Sequence, residues 1–373
     1  MAGPPRVVAR ARTAVRIALT RRLETLADAS DPARWRPVVL VGLSGGADSL
    51  ALLATTVWVA GRLGLATEAV IIDHGLQEGS ERVAEHAAMQ AEQLGAAAAH
   101  VRRVAVEDGP GGLENAARQA RHRALAEVRE DRGALAVLLA HTLDDQAEQV
   151  LLGLARGGGP RSIAAISPAR GVTLRPFLGT DEDESLGLRR ADTEEICRLH
   201  DLEWWDDPMN ADPHHLRARV RHEVLPVLRE VLGDQVEENL ARASALVRED
   251  ADHLDREARE LSEGLRRPVD GPHDLLALDV HALAAEPTPI RTRILRDVSR
   301  RAARAAGGGS GKSLLRRHVR EVDALVRSWH GQAPAPLPGT IEVARCDGLL
   351  VWRRAPAGTD RRVGHLEGTD QKE

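Results

Sequence analysis

The sequence contains no tyrosine, one phenylalanine and six tryptophans, so aromatic residues fill only 2% of its 373 positions. A core built on stacked rings is excluded. Burial has to come from alanine, valine, leucine and isoleucine. Base stacking on a single-stranded nucleic acid would fall chiefly to Trp204 and Trp205, with arginine planes in support. Cysteine is equally scarce. Cys197 and Cys346 stand far apart, which excludes a CxxC metal or redox motif and a disulfide framework. No apolar run reaches the length of a membrane span. The first residues carry Arg6, Arg10, Arg12 and Arg16 without an uninterrupted apolar stretch, so a secretory signal is not expected and the cytoplasm is the default location. Lysine is nearly missing: of 51 basic residues only Lys312 and Lys372 are lysine, a bias of the source genome rather than of function.

What is present is a long, charged, ordinary globular composition, with 43% hydrophobic residues and a net charge of −5. The length predicts two or three domains. The overall charge does not announce a nucleic-acid binder, but positive charge is gathered locally. Arg6 to Arg22 holds six arginines and no acid. Arg291 to Arg327 holds eleven basic and three acidic residues, a net of +8. Arg217, Arg219 and Arg221 alternate on a third segment. Within the second basic stretch, Arg316, Arg317 and Arg320 are the candidate polyanion contacts.

Residues 1–35 read as an amphipathic, arginine-rich helix. An alternation of strands and helices follows. Short apolar runs at 38–41, 69–72, 100–106 and 135–140 are each followed by a helical pattern, at 50–62, 80–94, 113–132 and 142–156. Ser80 is the expected N-cap of the second helix and Gly95 its stop. Four such units predict an α/β fold with a doubly wound parallel sheet. In such a sheet ligands bind beyond the carboxyl ends of the strands, where residues 44–49, 73–80 and 141–145 fall. The segment 160–225 is irregular and carries an acidic run, Asp181 to Glu184. Residues 224–304 are helical in pattern, and two runs at 339–343 and 348–352 form a small β-hairpin. The expected division is an N-terminal helix (1–35), an α/β domain (36–225), a mainly helical domain with the small hairpin (226–355) and a disordered tail (356–373).

The segment Ser44-Gly45-Gly46-Ala47-Asp48-Ser49 lies between the first strand and its helix. Glycine lets a backbone approach phosphate, and loop N–H groups at a helix N-terminus attract anions. Ser44 and Ser49 add hydroxyl donors. Asp48 would repel phosphate, so its expected work is metal binding or helix capping. A second glycine-rich stretch, Gly307 to Ser313, has Ala306 where a Walker loop needs glycine and follows a helical pattern, so it reads as a linker.

The Ser-Gly-Gly-x-Asp-Ser loop resembles the PP-loop ATP pyrophosphatases. Further segments narrow the resemblance to the tRNA(Ile)-lysidine synthetases: Asp73-His74-Gly75-Leu76 with Ser80, Glu114 to Arg118 with Arg121, His141 to Glu148, and Arg156-Gly157. Arg175-Pro176-Phe177-Leu178, Trp205 to Asn210 and Arg217 to Arg221 follow in order. Departures are His122 where the family has tyrosine, Gln149 where it has threonine, an insertion at 181–185, and a shorter C-terminal portion than the longer members.

The resemblance implies a ligase that joins lysine to C2 of the wobble cytidine of an isoleucine tRNA with a CAU anticodon, changing its codon from AUG to AUA. ATP would first adenylate the C2 oxygen, and lysine would then displace AMP. It implies ATP contacts at residues 44–49, Asp73 and His74, with Mg²⁺ on Asp48. Substrate or lysine contacts would fall to Glu114, Arg118, His141, Asp144, Asp145 and Glu148. The carboxylates at 144, 145 and 148 share one helix face, where they can attract an ammonium group. Thr142 and Asp145 also fit a capping box. Implied partners are the isoleucine tRNA, free L-lysine and ATP, with no membrane; monomer and homodimer both remain open. The rival readings are another PP-loop enzyme, such as a thiolase, which would carry CxxC pairs, or a nucleotide-binding regulator without catalysis.

Overall fold

The computed structural model describes residues 3–25, 37–75, 77, 79–106, 112–180, 183–212, 215–307 and 314–356. The chain forms two compact units, residues 1–249 and 250–373. The boundary expected at 225 therefore lies further on, within a single long helix whose charged pattern runs unbroken through it. Leu76, residues 107–111, Asp181 and Glu182, residues 308–313 and the tail from 357 lie outside the described residues.

The first unit opens with α1 (Arg6–Glu24). It continues through β1 (Val38–Leu43), α2 (Ala47–Arg62), β2 (Ala66–Asp73), α3 (Ser80–Gln93), β3 (Ala98–Arg103), α4 (Gly112–Arg132), β4 (Ala136–Leu138) and α5 (Leu143–Ala155). After α6 (Pro160–Ile163) come β5 (Ala169–Arg170), β6 (Thr173–Leu174), α7 (Arg190–Leu199), α8 (Leu216–Arg219), α9 (Leu225–Leu232) and the start of α10 (Val236–Gly264). The sheet order is β3-β2-β1-β4-β6-β5, parallel except for the edge strand β5. The chain winds outward from β1 to β3 and then returns to the other side of β1. The switch in direction leaves a crevice between the carboxyl ends of β1 and β4.

The apolar strands β1 and β2 are buried because helices cover the sheet. Val7, Val8, Ala11, Val15 and Leu19 of α1 pack into the same core as α2 and β1, so the N-terminal helix is part of this unit. Its Arg12 has a structural part, lying over the Trp58 ring at 3.8 Å, with Arg62 of α2 over the same ring at 3.4 Å. Helix α3 is capped by Gly79 at φ +84° rather than by Ser80, whose side chain is not used for the cap.

The second unit holds the rest of α10, β7 (Arg266–Arg267), β8 (Asp274–Asp279), α11 (Val280–Ala285), α12 (Thr288–Ala305), α13 (Arg316–Arg327), β9 (Ala335–Leu337), β10 (Ile341–Cys346) and β11 (Leu349–Arg354). The expected hairpin is β10–β11, but it forms the middle of a five-stranded antiparallel sheet, β7-β8-β11-β10-β9. The strands not expected are β7, β8 and β9; in β8 the run Leu275-Leu276-Ala277-Leu278 is too short to be told from a helix turn. Trp352 is wholly buried there, its indole N–H donating to Ser299 Oγ at 2.9 Å. Among the described residues no helix is long and apolar enough to cross a membrane.

Candidate active site

At the end of β1 the chain turns through Gly45, whose φ of +83° is a left-handed value that glycine adopts without strain. Gly46 precedes α2, and no side chain caps that helix, so its first N–H groups are left for a ligand. The loop is braced from within. Ser49 Oγ accepts from Ser44 N at 3.1 Å and donates to Gly46 O at 2.9 Å, with Ser44 Oγ 3.2 Å away. It is also braced from outside, because Trp205 N donates to Gly45 O at 3.0 Å. Gln77 Nε2, in the turn after β2, donates to Asp207 Oδ1 at 2.8 Å, tying the three loops together. Asp73 Oδ1 accepts from Gly75 N at 2.9 Å and so shapes that turn.

Asp48 lies in the first turn of α2 and does not cap it. Its carboxylate meets Thr193 Oγ1 at 2.5 Å and Arg190 Nε at 3.7 Å, both on α7. Burial raises its pKa to about 6, helped by the charges of Asp145 and Asp144 and opposed by Arg190 and Thr193. Nothing in the sequence signalled Arg190 or Thr193, since they reach Asp48 across 142 and 145 residues.

Helix α5 begins at the end of β4 with Thr142 as N-cap. Asp145 Oδ2 accepts from Thr142 N at 2.9 Å, as the capping pattern predicts. The other oxygen, Oδ1, stands 3.6 Å from Arg190. Asp144 is buried and its Oδ2 accepts from Arg190 N at 2.9 Å, with Arg189 3.5 Å from Oδ1. Glu148 is wholly buried and held by Arg217 Nε at 2.9 Å and Arg221 Nε at 2.7 Å. Asp144 and Asp145 are thus held alike, each with one oxygen on a backbone N–H and the other near two arginines (Arg189 at 3.5 Å and Arg229 at 4.0 Å for Asp144, Arg190 at 3.6 Å and Arg221 at 4.0 Å for Asp145), while both oxygens of Glu148 accept from arginines.

Arg217, Arg219 and Arg221 fall on helical backbone. They lie on α8 and a π-helical turn, Val220–Val224, that leads into α9. Pro226 cannot donate to a carbonyl four residues back, and the wider turn accommodates that loss. Four-residue spacing puts Arg217 and Arg221 on the Glu148 face, while Arg219 turns to Glu223 at 3.2 Å. Arg316, Arg317 and Arg320 are exposed on α13 of the second unit.

His74 and His141 each follow a strand at the ligand edge, and the Nδ1 of each is buried with no hydrogen-bond partner. Burial lowers the His141 pKa to about 3. Arg175, Arg217 and Arg118 add to that and Asp145 opposes it. His74 is lowered by burial and by Arg121. Glu114 and Arg118 lie on α4, and the Glu114 side chain is outside the described residues. Cys197 is buried under the loop, its Sγ 3.3 Å from Ala47 O, and burial pushes the thiol up to about 12, so it is inert. Both cysteines are free.

A PP-loop domain family model matches residues 17–228, the stretch that carries the loop and the carboxylates. The tRNA(Ile)-lysidine synthase of Leifsonia xyli is 48% identical over 86% of this chain and 92% of its own length. That of Thermobifida fusca is 46% identical over 94% of this chain and 99% of its own. The chain belongs to the tRNA(Ile)-lysidine synthase family. The Streptomyces coelicolor lysidine synthase is 45% identical over 85% of this chain and 86% of its own length. The stretch matched by the PP-loop model includes the loop that Ser44, Ser49 and Trp205 hold in place.

Proposed function

We propose how this chain carries out its family's reaction. The chain is a carbon–nitrogen ligase that forms lysidine on an isoleucine tRNA, with ATP as co-substrate. In the first step the C2 oxygen of the wobble cytidine attacks the α-phosphorus of ATP and pyrophosphate leaves. In the second an amine of free lysine attacks C2, AMP leaves with the bonding electrons, and a proton is lost. The loop 44–49 offers N–H donors and a helix N-terminus to the departing phosphates.

Among the described residues no cluster of three or more His, Cys, Asp or Glu side chains could hold a metal ion by itself. Mg²⁺ would be held by substrate phosphates and one carboxylate, which Asp48 supplies beside the loop. When bound, the ion would neutralise charge on pyrophosphate. The protein's own part is to keep Asp48 aimed, through Thr193 and Arg190. Asp145 Oδ1 is assigned the lysine ammonium because it stands on Arg190, the arginine that also meets Asp48 beside the loop. His141, kept neutral by its surroundings, serves substrate contact rather than charge pairing.

The observation that carries this reading is the meeting of Asp48 and Asp145 on one arginine, Arg190, between the ends of β1 and β4. The test is pyrophosphate release with ATP, lysine and the CAU isoleucine tRNA. Release that depends on the tRNA and lysidine that depends on lysine support it. No release with that tRNA would sink it.

A further inference from the structure

Three arginines line the cavity that opens on the glycine loop, a space of about 550 Å³ bordered also by Ser44, Gly46 and Asp48. Two of them are engaged. Arg221 donates to Glu148 and Arg229 to Glu237, and both glutamates are wholly buried. Arg190 differs. Its guanidinium has Asp145 Oδ1 at 3.6 Å, Asp48 Oδ2 at 3.7 Å and Glu148 Oε1 at 3.9 Å, and among the described residues it makes no hydrogen bond. Its charge is therefore balanced, but its donors are not used. A guanidinium is a planar fork of N–H groups, and carboxylates at these distances leave the fork open.

The backbone beneath Arg190 is fixed. It opens α7, and its own N–H donates to Asp144 Oδ2 at 2.9 Å. Ile196 and Cys197 of α7 are buried in the same core as Leu50 and Leu53 of α2. The side chain keeps 26% exposure, so a ligand in the cavity can reach it. Donors held in this way, beside the uncapped N-terminus of α2, suit an anion that adjoins the one the loop would hold. Pyrophosphate leaving from that loop is joined to the α-phosphate until the bond breaks. Stabilising the oxygens of the transferring phosphoryl group is where fixed donors accelerate such a reaction most.

We propose that Arg190 is a catalytic residue of the adenylation step, its guanidinium donating to a non-bridging oxygen of the α-phosphate of ATP. The proposal rests on the lysidine reading. The C2 oxygen of cytidine forms the new bond to phosphorus, and the bond to pyrophosphate breaks with its electrons leaving on pyrophosphate. Arg190 keeps its protons throughout and gives only a hydrogen bond. The rival anion is the carboxylate of free lysine. The phosphate is favoured because Arg190 meets Asp48, which lies in the first turn of the helix that the loop leads into.

The test uses the full chain, ATP and the CAU isoleucine tRNA, with pyrophosphate release followed in single turnovers. Arg190→Gln should slow release about 100- to 1,000-fold, with ATP affinity by calorimetry held within about threefold. Arg190→Lys keeps the charge but loses the fork, and should still be slowed at least about tenfold. The decisive readout is the ratio of rates for the two diastereomers of ATP that carry sulfur on the α-phosphorus. That ratio should change about tenfold between wild type and Arg190→Gln, because one oxygen of the pair has lost a charged donor. A merely structural arginine would leave the ratio alone. If Arg190→Gln does not fold, Arg190→Lys carries both measurements. Release at the wild-type rate would overturn the proposal, and so would an unchanged ratio. A raised KM for lysine with pyrophosphate release intact would hand the donors to the lysine carboxylate and overturn it too. Release that needs Arg190 but not this tRNA would sink the lysidine reading and leave the role of Arg190 standing. A wild type that releases no pyrophosphate with any RNA overturns both.

Discussion

Nε of Arg217 donates to Oε2 of Glu148 at 2.9 Å, and the carboxylate that receives it has no exposed surface at all. Arg221 completes the group from the next helical turn, at 2.7 Å. A buried charge that loses its partner is costly, so Glu148→Ala should lower stability by about 3–5 kcal/mol, while Glu148→Gln, which keeps an acceptor, should cost less. Urea denaturation measures both. An alanine variant as stable as the parent would mean that the two arginines find other partners.

Gly45 needs its positive φ, and an added Cβ would sit 3.4 Å from Val83 Cγ1. Gly45→Ala should strain the turn by about 1–2 kcal/mol and displace the N–H groups proposed to hold the phosphates. ATP affinity, read by calorimetry, should fall at least about tenfold. Full affinity would show that the loop holds phosphate in another conformation.

Asp145 and Asp48 should separate the two half-reactions. Asp145→Asn keeps an oxygen for Thr142 N–H and removes the charge offered to lysine. It should raise the KM for lysine by at least about tenfold and leave tRNA-dependent pyrophosphate release near normal. Asp48→Ala should abolish that release. Equal losses in both steps for Asp145→Asn would take the lysine role from it.

His141 gives the stability a pH dependence. Its folded pKa is lowered from 6.5 to about 3, so between those values the unfolded chain binds a proton that the folded chain does not. Stability is therefore lost as the pH falls below about 6.5. Between pH 7 and pH 5 the loss from this group should be about 1–2 kcal/mol. His141→Gln should remove that part of the dependence. The same slope in parent and variant, from urea midpoints at the two pH values, would assign it elsewhere.

Much of the first unit was legible before any coordinates. Buried parallel strands leave continuous apolar runs, and β1, β2 and β4 stand where those runs lie, each shifted by a residue or more. The loop at 44–49 was legible because glycine at a strand–helix junction has few other uses. The capping by Asp145 was legible because it is local. In the second unit β8 was not, since a short apolar run does not choose between strand and helix until β11 lies beside it.

The sequence by itself determined the winding of the sheet, the place of the glycine loop between β1 and α2 and the residue types gathered at the sheet's edge. These follow from periodicity and from neighbours a few positions apart. Only the tertiary structure decided which charges remain for substrate. Glu148 and Arg217 read alike as site residues in the sequence, yet they neutralise each other across 69 residues. Arg190 and Thr193, silent in the sequence, set the charge and aim of Asp48. A charge's availability depends on what stands within a few ångströms of it, and that neighbourhood is made by folding.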